Sequence, residues 1–141
     1  MAGLIHDIGK IYVPAEILNR PGRLSNEEFD MVKSHVRIGY NIVKNINFPW
    51  PIATIILQHH ERMNGSGYPS GISGDEIVLE SRIMAVADVL EAMITHRPYR
   101  TAFLLEKAIG EICEYKGILY DEDVVNICEK LFQEKRFPIE V

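Results

Sequence analysis

Apolar residues recur at three- and four-residue steps through most of the chain. Phe29, Val32, Val36, Gly39 and Val43 mark one helical face. The spacing predicts a single helix from Ser25 to about Asn45. Its start reads as a capping box, in which the Ser25 hydroxyl serves the Glu28 amide and Glu28 reaches back. Upstream, Met1–Ile8 reads as the last turns of a helix. Residues 11–21 are mixed, with Pro14 placed to open a short helix and "RPG" at 20–22 a turn. "NFPWP" at 47–51 ends the long helix, and a compact apolar one is predicted from Ile52 to His60. The glycine-rich stretch "ERMNGSGYPSGISG" at 61–74 reads as a long surface loop of the kind that often carries function. A helix is predicted from about Glu80 to Thr95, then "HRPYR" at 96–100 as a connector. Further helices follow at about Leu104–Tyr115, stopped by Gly117, and from a cap at Asp121 to about Lys135. No strand, repeat or linker stands out. The predicted class is all-α, with residues 1–141 as one domain.

Composition narrows the class of function. Of 141 residues, 47% are hydrophobic and 25% charged, the balance of an ordinary globular protein. No apolar run approaches the ~20 residues that span a bilayer. Ile52–Leu57 and Ile83–Ala87 read as buried helix faces, and no basic, then apolar, signal segment opens the chain. Cys113 and Cys128 lie far apart among apolar residues and read as structural thiols in a reducing compartment, so a cytoplasmic location is expected. The net charge of −5 argues against a partner of long nucleic acid. A phosphate compound would need local positive charge or bound metal.

Four of the five histidines sit where a helix should be apolar or is just ending: His6, His35, His59 and His60. One such histidine is usually a satisfied core residue. Four of them, together with Asp7 and Asp88, make a donor set suited to Mn, Fe or Zn. Asp88 lies in "MAVADVLEAM", where a buried carboxylate must be paired or metal-bound. Its alternative partners are Arg82 and Arg97. Adjacent residues on a helix point about 100° apart, so His6 and Asp7 suit two neighbouring ions better than one, with Asp7 bridging. The same holds for His59 and His60 at a helix end. Two ions ~3.5–4 Å apart, sharing a hydroxide, are the usual apparatus for in-line attack on phosphorus. Lys10 lies one turn from Asp7, and Arg97 and Arg100 follow the Asp88 helix. The three cations would make a phosphate clamp.

Together, "HDIGK" at 6–10, His35 in "KSHVRIG", "HHERMNGSGYP" at 59–69, "ADVLEAM" at 87–93 and "RPYR" at 97–100 resemble the HD-GYP family of bacterial metal-dependent phosphodiesterases. The resemblance covers essentially the whole chain. It implies a helical HD-domain bundle and hydrolysis of cyclic di-GMP, or of a mixed cyclic GMP-AMP, by a hydroxide bridging two divalent ions. The expected ions are Fe or Mn, with Zn, Ni or Mg as alternatives. It implies that His6, Asp7 and Asp88 hold one ion, and that Asp7 bridges to a second held by His35, His59 and His60. Asp7 and Lys10 are the implied catalytic residues. Lys10, Arg97 and Arg100 match phosphate-contacting positions, and Tyr68 is a candidate base contact. Gly67, Tyr68 and Pro69 match the signature loop. Glu91 stands where the family usually has Asp and is expected as an outer-shell carboxylate.

The family also carries a helix before the HD pair that supplies a further ligand, and this chain starts too late to hold it. The resemblance therefore implies an N-terminally incomplete domain with weakened activity and a tendency to self-associate. Implied partners are an upstream sensor or receiver domain and a GGDEF-type diguanylate cyclase. The alternatives are a catalytically weak HD-GYP binding module and a generic HD nucleotide phosphohydrolase.

Overall fold

A computed structural model describes residues 1–95, 101–134 and 136. Among the described residues the regular structure is helical, apart from one isolated parallel bridge between Lys116 and Tyr120. The α-helices are α1 (Ala2–Ile5), α2 (Ala15–Leu18), α3 (Asn26–Lys33), α4 (His35–Val43), α5 (Ile52–Gln58), α6 (Leu79–Thr95), α7 (Thr101–Glu114) and α8 (Glu122–Gln133). Short 3₁₀ turns cover Ile8–Tyr12 and Gly74–Glu76. No described helix is long and apolar enough to cross a membrane.

Several starts and stops follow from side chains. The Ser25 hydroxyl accepts from the Glu28 amide at 3.3 Å, and the Ser25 amide donates to Glu28 Oε2 at 2.9 Å, which closes the capping box of α3. Asp121 caps α8, its Oδ1 accepting from the amides of Asp123 at 2.9 Å and Val124 at 3.1 Å. Gly117, at φ +73°, sits in the left-handed region shortly past α7.

Two of the expected helices are shorter than the periodicity predicts. The run expected from Ser25 to Asn45 is divided at Ser34, whose hydroxyl donates to the Met31 carbonyl at 2.6 Å. The next ring, His35, donates from Nδ1 to the Val32 carbonyl at 2.7 Å. Side chains that take helix carbonyls compete with the backbone ladder, and here they open it. Likewise α1 stops at Ile5, where His6 Nδ1 donates back to the Gly3 carbonyl at 2.9 Å. The expected apolar face of α6 also needs correction: Ala85 and Val86 are buried, but Ile83 is 48% exposed.

The core forms two clusters. Val86 and Leu90 of α6 pack with Leu105, Ala108, Ile109 and Ile112 of α7, Tyr120, and Val124 and Val125 of α8. Both cysteines are free and half-buried against this cluster. Val43 of α4 packs with Ile52, Ile55 and Ile56 of α5, with Ala2, Ile5, Phe48 and Met84 around them. Helix α6 touches both clusters, since Met84 borders one and Val86 belongs to the other.

The 3₁₀ turn after α1 lies directly on α4. A Cβ on Gly9 would fall 2.0 Å from the His35 carbonyl oxygen and 2.7 Å from the Gly39 nitrogen, and one on Gly39 would fall 2.9 Å from Ile56. Two glycines therefore let the 3₁₀ turn lie backbone to backbone on α4 and let Ile56 pack closely against α4, and Asp7 is carried up to His35.

Candidate metal centre

Helix boundaries deliver most of the polar set. His6 follows α1 and Asp7 precedes the 3₁₀ turn; His35 opens α4; His59 and His60 follow α5; Asp88 lies inside α6. His35 and His59 are buried, while His6, His60 and Asp88 are half-buried. The ring centroids of His6 and His59 are 5.2 Å apart, those of His35 and His60 5.2 Å, and those of His59 and His60 4.1 Å.

Three of these rings are oriented in the same way. His6, His35 and His59 each place Nδ1 on the carbonyl three residues earlier, at 2.9 Å from Gly3, 2.7 Å from Val32 and 2.7 Å from Ile56. A carbonyl only accepts, so Nδ1 carries the proton and the neutral ring keeps a lone pair on Nε2. For His6 and His35 that Nε2 faces carboxylate oxygens. His35 Nε2 lies 3.2 Å from Asp7 Oδ1, and His6 Nε2 lies 3.4 Å from both Asp7 Oδ2 and Asp88 Oδ1. His60 Nδ1 is 3.9 Å from Asp88 Oδ2. A cation between such facing acceptors would satisfy both. The buried Nε2 atoms of His35 and His59 and Asp7 Oδ1 have no hydrogen-bond partner, as metal donors would be left.

Among the described residues, two donor groups are compact enough for an ion, with all donor atoms within 4.8 Å of one another: His35, His59 and His60, and His6, Asp7 and His59. His59 thus stands between the two, and Asp7 presents one oxygen toward His6 and the other toward His35. The donors fit divalent ions of the kind that take imidazole and carboxylate. A helix carbonyl behind each of three rings is the outer-shell partner that metal-binding histidines commonly have.

The electrostatics suit that role. Burial pushes His59 down to about 4, against the partial compensation of its bond to Ile56. Burial likewise lowers His60. Both rings are therefore neutral donors at pH 7. Burial opposes ionisation of Asp7, but its contacts with His35 and Lys10 outweigh it and hold the carboxyl well below the usual range. At His6 the contact with Asp88 raises the imidazole despite burial, and Asp88 in turn is lowered by His6 despite its own burial.

The remaining expected residues are distributed around this centre. Lys10 Nζ donates to Asp7 Oδ2. Glu91 lines a groove of about 460 Å³ together with His6, Asp7, Met84 and Asp88. Tyr68 stacks on His60, centroids 4.8 Å apart at 29°, and meets Phe29 edge-on at 6.5 Å. It walls a second cleft of about 350 Å³ with Lys33, His60, Arg62 and Gly67. Burial pushes the Tyr68 hydroxyl up to about 12. Gly67 lies against the backbone of 60–62, and Pro69 follows a cis peptide bond, its carbonyl accepting from Arg37 at 3.0 Å. Arg97 and Arg100 lie outside the described residues. Arg82 does not serve Asp88; it pairs with Asp121 at 3.1 Å and Asp75 at 3.0 Å.

Three positions near the centre carry roles that periodicity does not signal. Gly9 and Gly39 set the close approach described above. Glu61, next to His60, is buried, with one carboxylate oxygen on the Ser70 amide at 2.7 Å. Its place inside the "HHE…GYP" stretch was the available clue.

Residues 1–124 match the HD domain family. The chain belongs to that family. Its relatives are phosphodiesterases by name, in keeping with the HD-GYP motif set. The HD domain is 45% identical over 135 residues to a cyclic di-GMP phosphodiesterase of Thermotoga maritima, covering 94% of this chain and 37% of the relative. It is 42% identical over 128 residues to the cyclic di-GMP phosphodiesterase response regulator RpfG of Xanthomonas campestris, covering 89% and 34%. It is 40% identical over 109 residues to the 3'3'-cGAMP-specific phosphodiesterase 3 of Vibrio cholerae, covering 77% and 24%. The chain thus spans about a third of the length of the first two. The solved structure of Bd1817, an HDG"Y"P protein from Bdellovibrio bacteriovorus, shares the fold with a TM-score of 0.71 at 20% identity, covering 94% of this chain and 42% of that one.

Proposed function

We propose that this HD domain hydrolyses a phosphodiester bond of a cyclic dinucleotide, cyclic di-GMP or 3'3'-cGAMP, at a pair of divalent ions. The observation that carries the reading is the convergence of the Nε2 atoms of His6 and His35 on the carboxylates of Asp7 and Asp88, with His35 Nε2, His59 Nε2 and Asp7 Oδ1 buried and without a hydrogen-bond partner. The relatives' names support the substrate class. In this reading His6, Asp7 and Asp88 would hold one ion and His35, His59 and His60 the other, with Asp7 placed to serve both. Fe or Mn suits these nitrogen and oxygen donors. Such ions supply Lewis-acid polarisation of the phosphate and activation of water.

The chain's own groups do the rest. The helix carbonyls fix the rings, so the donors need little rearrangement. Lys10 holds one oxygen of Asp7 and stands ready to meet a phosphate oxygen at the exposed side of the centre. Arg97 and Arg100 belong to the same reading as phosphate contacts. Replacing Arg100 with Ala should weaken substrate binding by about 1.5–3 kcal/mol and leave metal content unchanged. Tyr68 and Phe29 offer an aromatic wall to a base.

The test is direct. Protein purified without oxygen and loaded with Fe²⁺ or Mn²⁺ is incubated with each cyclic dinucleotide. Release of a linear dinucleotide or mononucleotide is expected. Two bound ions with no product from either substrate would overturn the reading.

A further inference from the structure

His60 differs from the other three histidines of the centre. Among the described residues it makes no bond to a helix carbonyl. Its ring is instead covered by Tyr68, stacked 4.8 Å away at an interplanar angle of 29°. The loop that carries Tyr68 is fixed to the backbone beside His60. The Tyr68 amide donates to the His60 carbonyl at 3.2 Å. Gly67 lies so close that a Cβ there would fall 2.4 Å from both Glu61 Cα and the His60 carbonyl oxygen. The Ser70 amide donates to Glu61 Oε1 at 2.7 Å, although Glu61 is 2% exposed and its Oε2 has no hydrogen-bond partner.

A carboxylate costs free energy to bury, and a single amide bond returns only part of it. The residue beside His60 is thus buried with its polar end gripping a loop nine positions away. We infer that Glu61 is a positioning residue: it clamps the 67–70 segment so that Tyr68 stays on His60 and fixes the one imidazole that its own helix does not orient. This rests on the reading of the cluster as a metal centre.

The mechanism runs through a hydrogen bond and a stack, so it separates variants. Glu61→Gln keeps an acceptor for the Ser70 amide. Glu61→Ala removes it, and Tyr68→Ala removes the stack while leaving the clamp. Two readouts are used on the full chain: titration with Mn²⁺ for the number and affinity of bound ions, and hydrogen exchange at the amides of Tyr68 and Ser70. In Glu61→Ala both amides should exchange faster, and the weaker Mn²⁺ equivalent should lose about tenfold or more in affinity, the range for outer-shell partners. Glu61→Gln should stay near the wild type in both. Tyr68→Ala should lose affinity comparably with the Ser70 amide still protected, and the double variant Glu61→Ala/Tyr68→Ala should lose no more than either single change.

A Glu61→Ala protein that binds both ions as tightly as the wild type would overturn the inference. So would additive losses in the double variant, or a Glu61→Gln protein as impaired as Glu61→Ala. Should Glu61→Ala fail to fold, Glu61→Gln and Tyr68→Ala still decide it. A wild type that binds no Mn²⁺ would instead count against the metal centre itself.

Discussion

Gly9 and His35 touch through their backbones: a Cβ on Gly9 would stand 2.0 Å from the His35 carbonyl oxygen. No side-chain rotation relieves that contact. Gly9→Ala should push the 3₁₀ turn away from α4, at a cost of about 1–3 kcal/mol for overpacking. The same displacement should part Asp7 from His35. Urea denaturation and metal analysis of the folded variant check both effects. Wild-type stability in the Gly9→Ala protein would mean that the two segments can separate freely.

Asp7 faces His35 with one oxygen and His6 with the other. Asp7→Ala should therefore lose both ions, whereas His60→Ala should retain one. Elemental analysis of the two purified proteins distinguishes them. Equal metal content in Asp7→Ala and the wild type would show that the carboxylate does not bridge.

Stability should depend on pH through His59. Burial lowers its imidazole from 6.5 to about 4. Between these values the unfolded chain binds the proton and the folded one does not. Stability of chelator-treated protein should thus be constant with respect to this group above pH 6.5 and fall as pH drops toward 4. The full loss is about 3 kcal/mol at 1.36 kcal/mol per pH unit. Carboxylates titrate in the same window, so the comparison is with His59→Gln, whose profile should be flatter by that amount. Parallel profiles would contradict a buried, neutral His59.

Asp121 provides a structural control. It caps α8 with one oxygen and holds Arg82 with the other. Asp121→Ala should destabilise by about 1–2 kcal/mol, chiefly through the lost cap, because Arg82 keeps Asp75 as a partner. Metal content per folded molecule should not change. Thermal unfolding and elemental analysis together check this, and metal loss would link the α6–α8 core to the centre.

Much of this was legible in residue order. Ser25 and Asp121 announced their helix starts because a capping side chain acts within three residues of itself. The histidines and carboxylates stood out because six such groups seldom gather on apolar faces unless a cation balances them, and the structure brings them together. What stayed hidden was tertiary or competitive. Ser34 looks like any mid-helix serine until its hydroxyl takes the Met31 carbonyl. Gly9 looks like a turn residue until α4 lies against it. Glu61 looks like a solvated carboxylate until the loop folds over it. None of these depends on periodicity, and each involves an atom whose partner is set by the three-dimensional path.

The bonds from Nδ1 of His6, His35 and His59 to carbonyls three residues back have one more consequence. Each closes within a single turn of chain, so tautomer and ring direction are encoded by segments of four residues. The cleft beneath Tyr68, by contrast, is walled largely by other parts of the chain, among them Phe29, Lys33, Arg62 and Gly67. That wall and the donors can then vary separately: the Tyr68 cleft can be rewritten with three of the four imidazoles still aimed where they were.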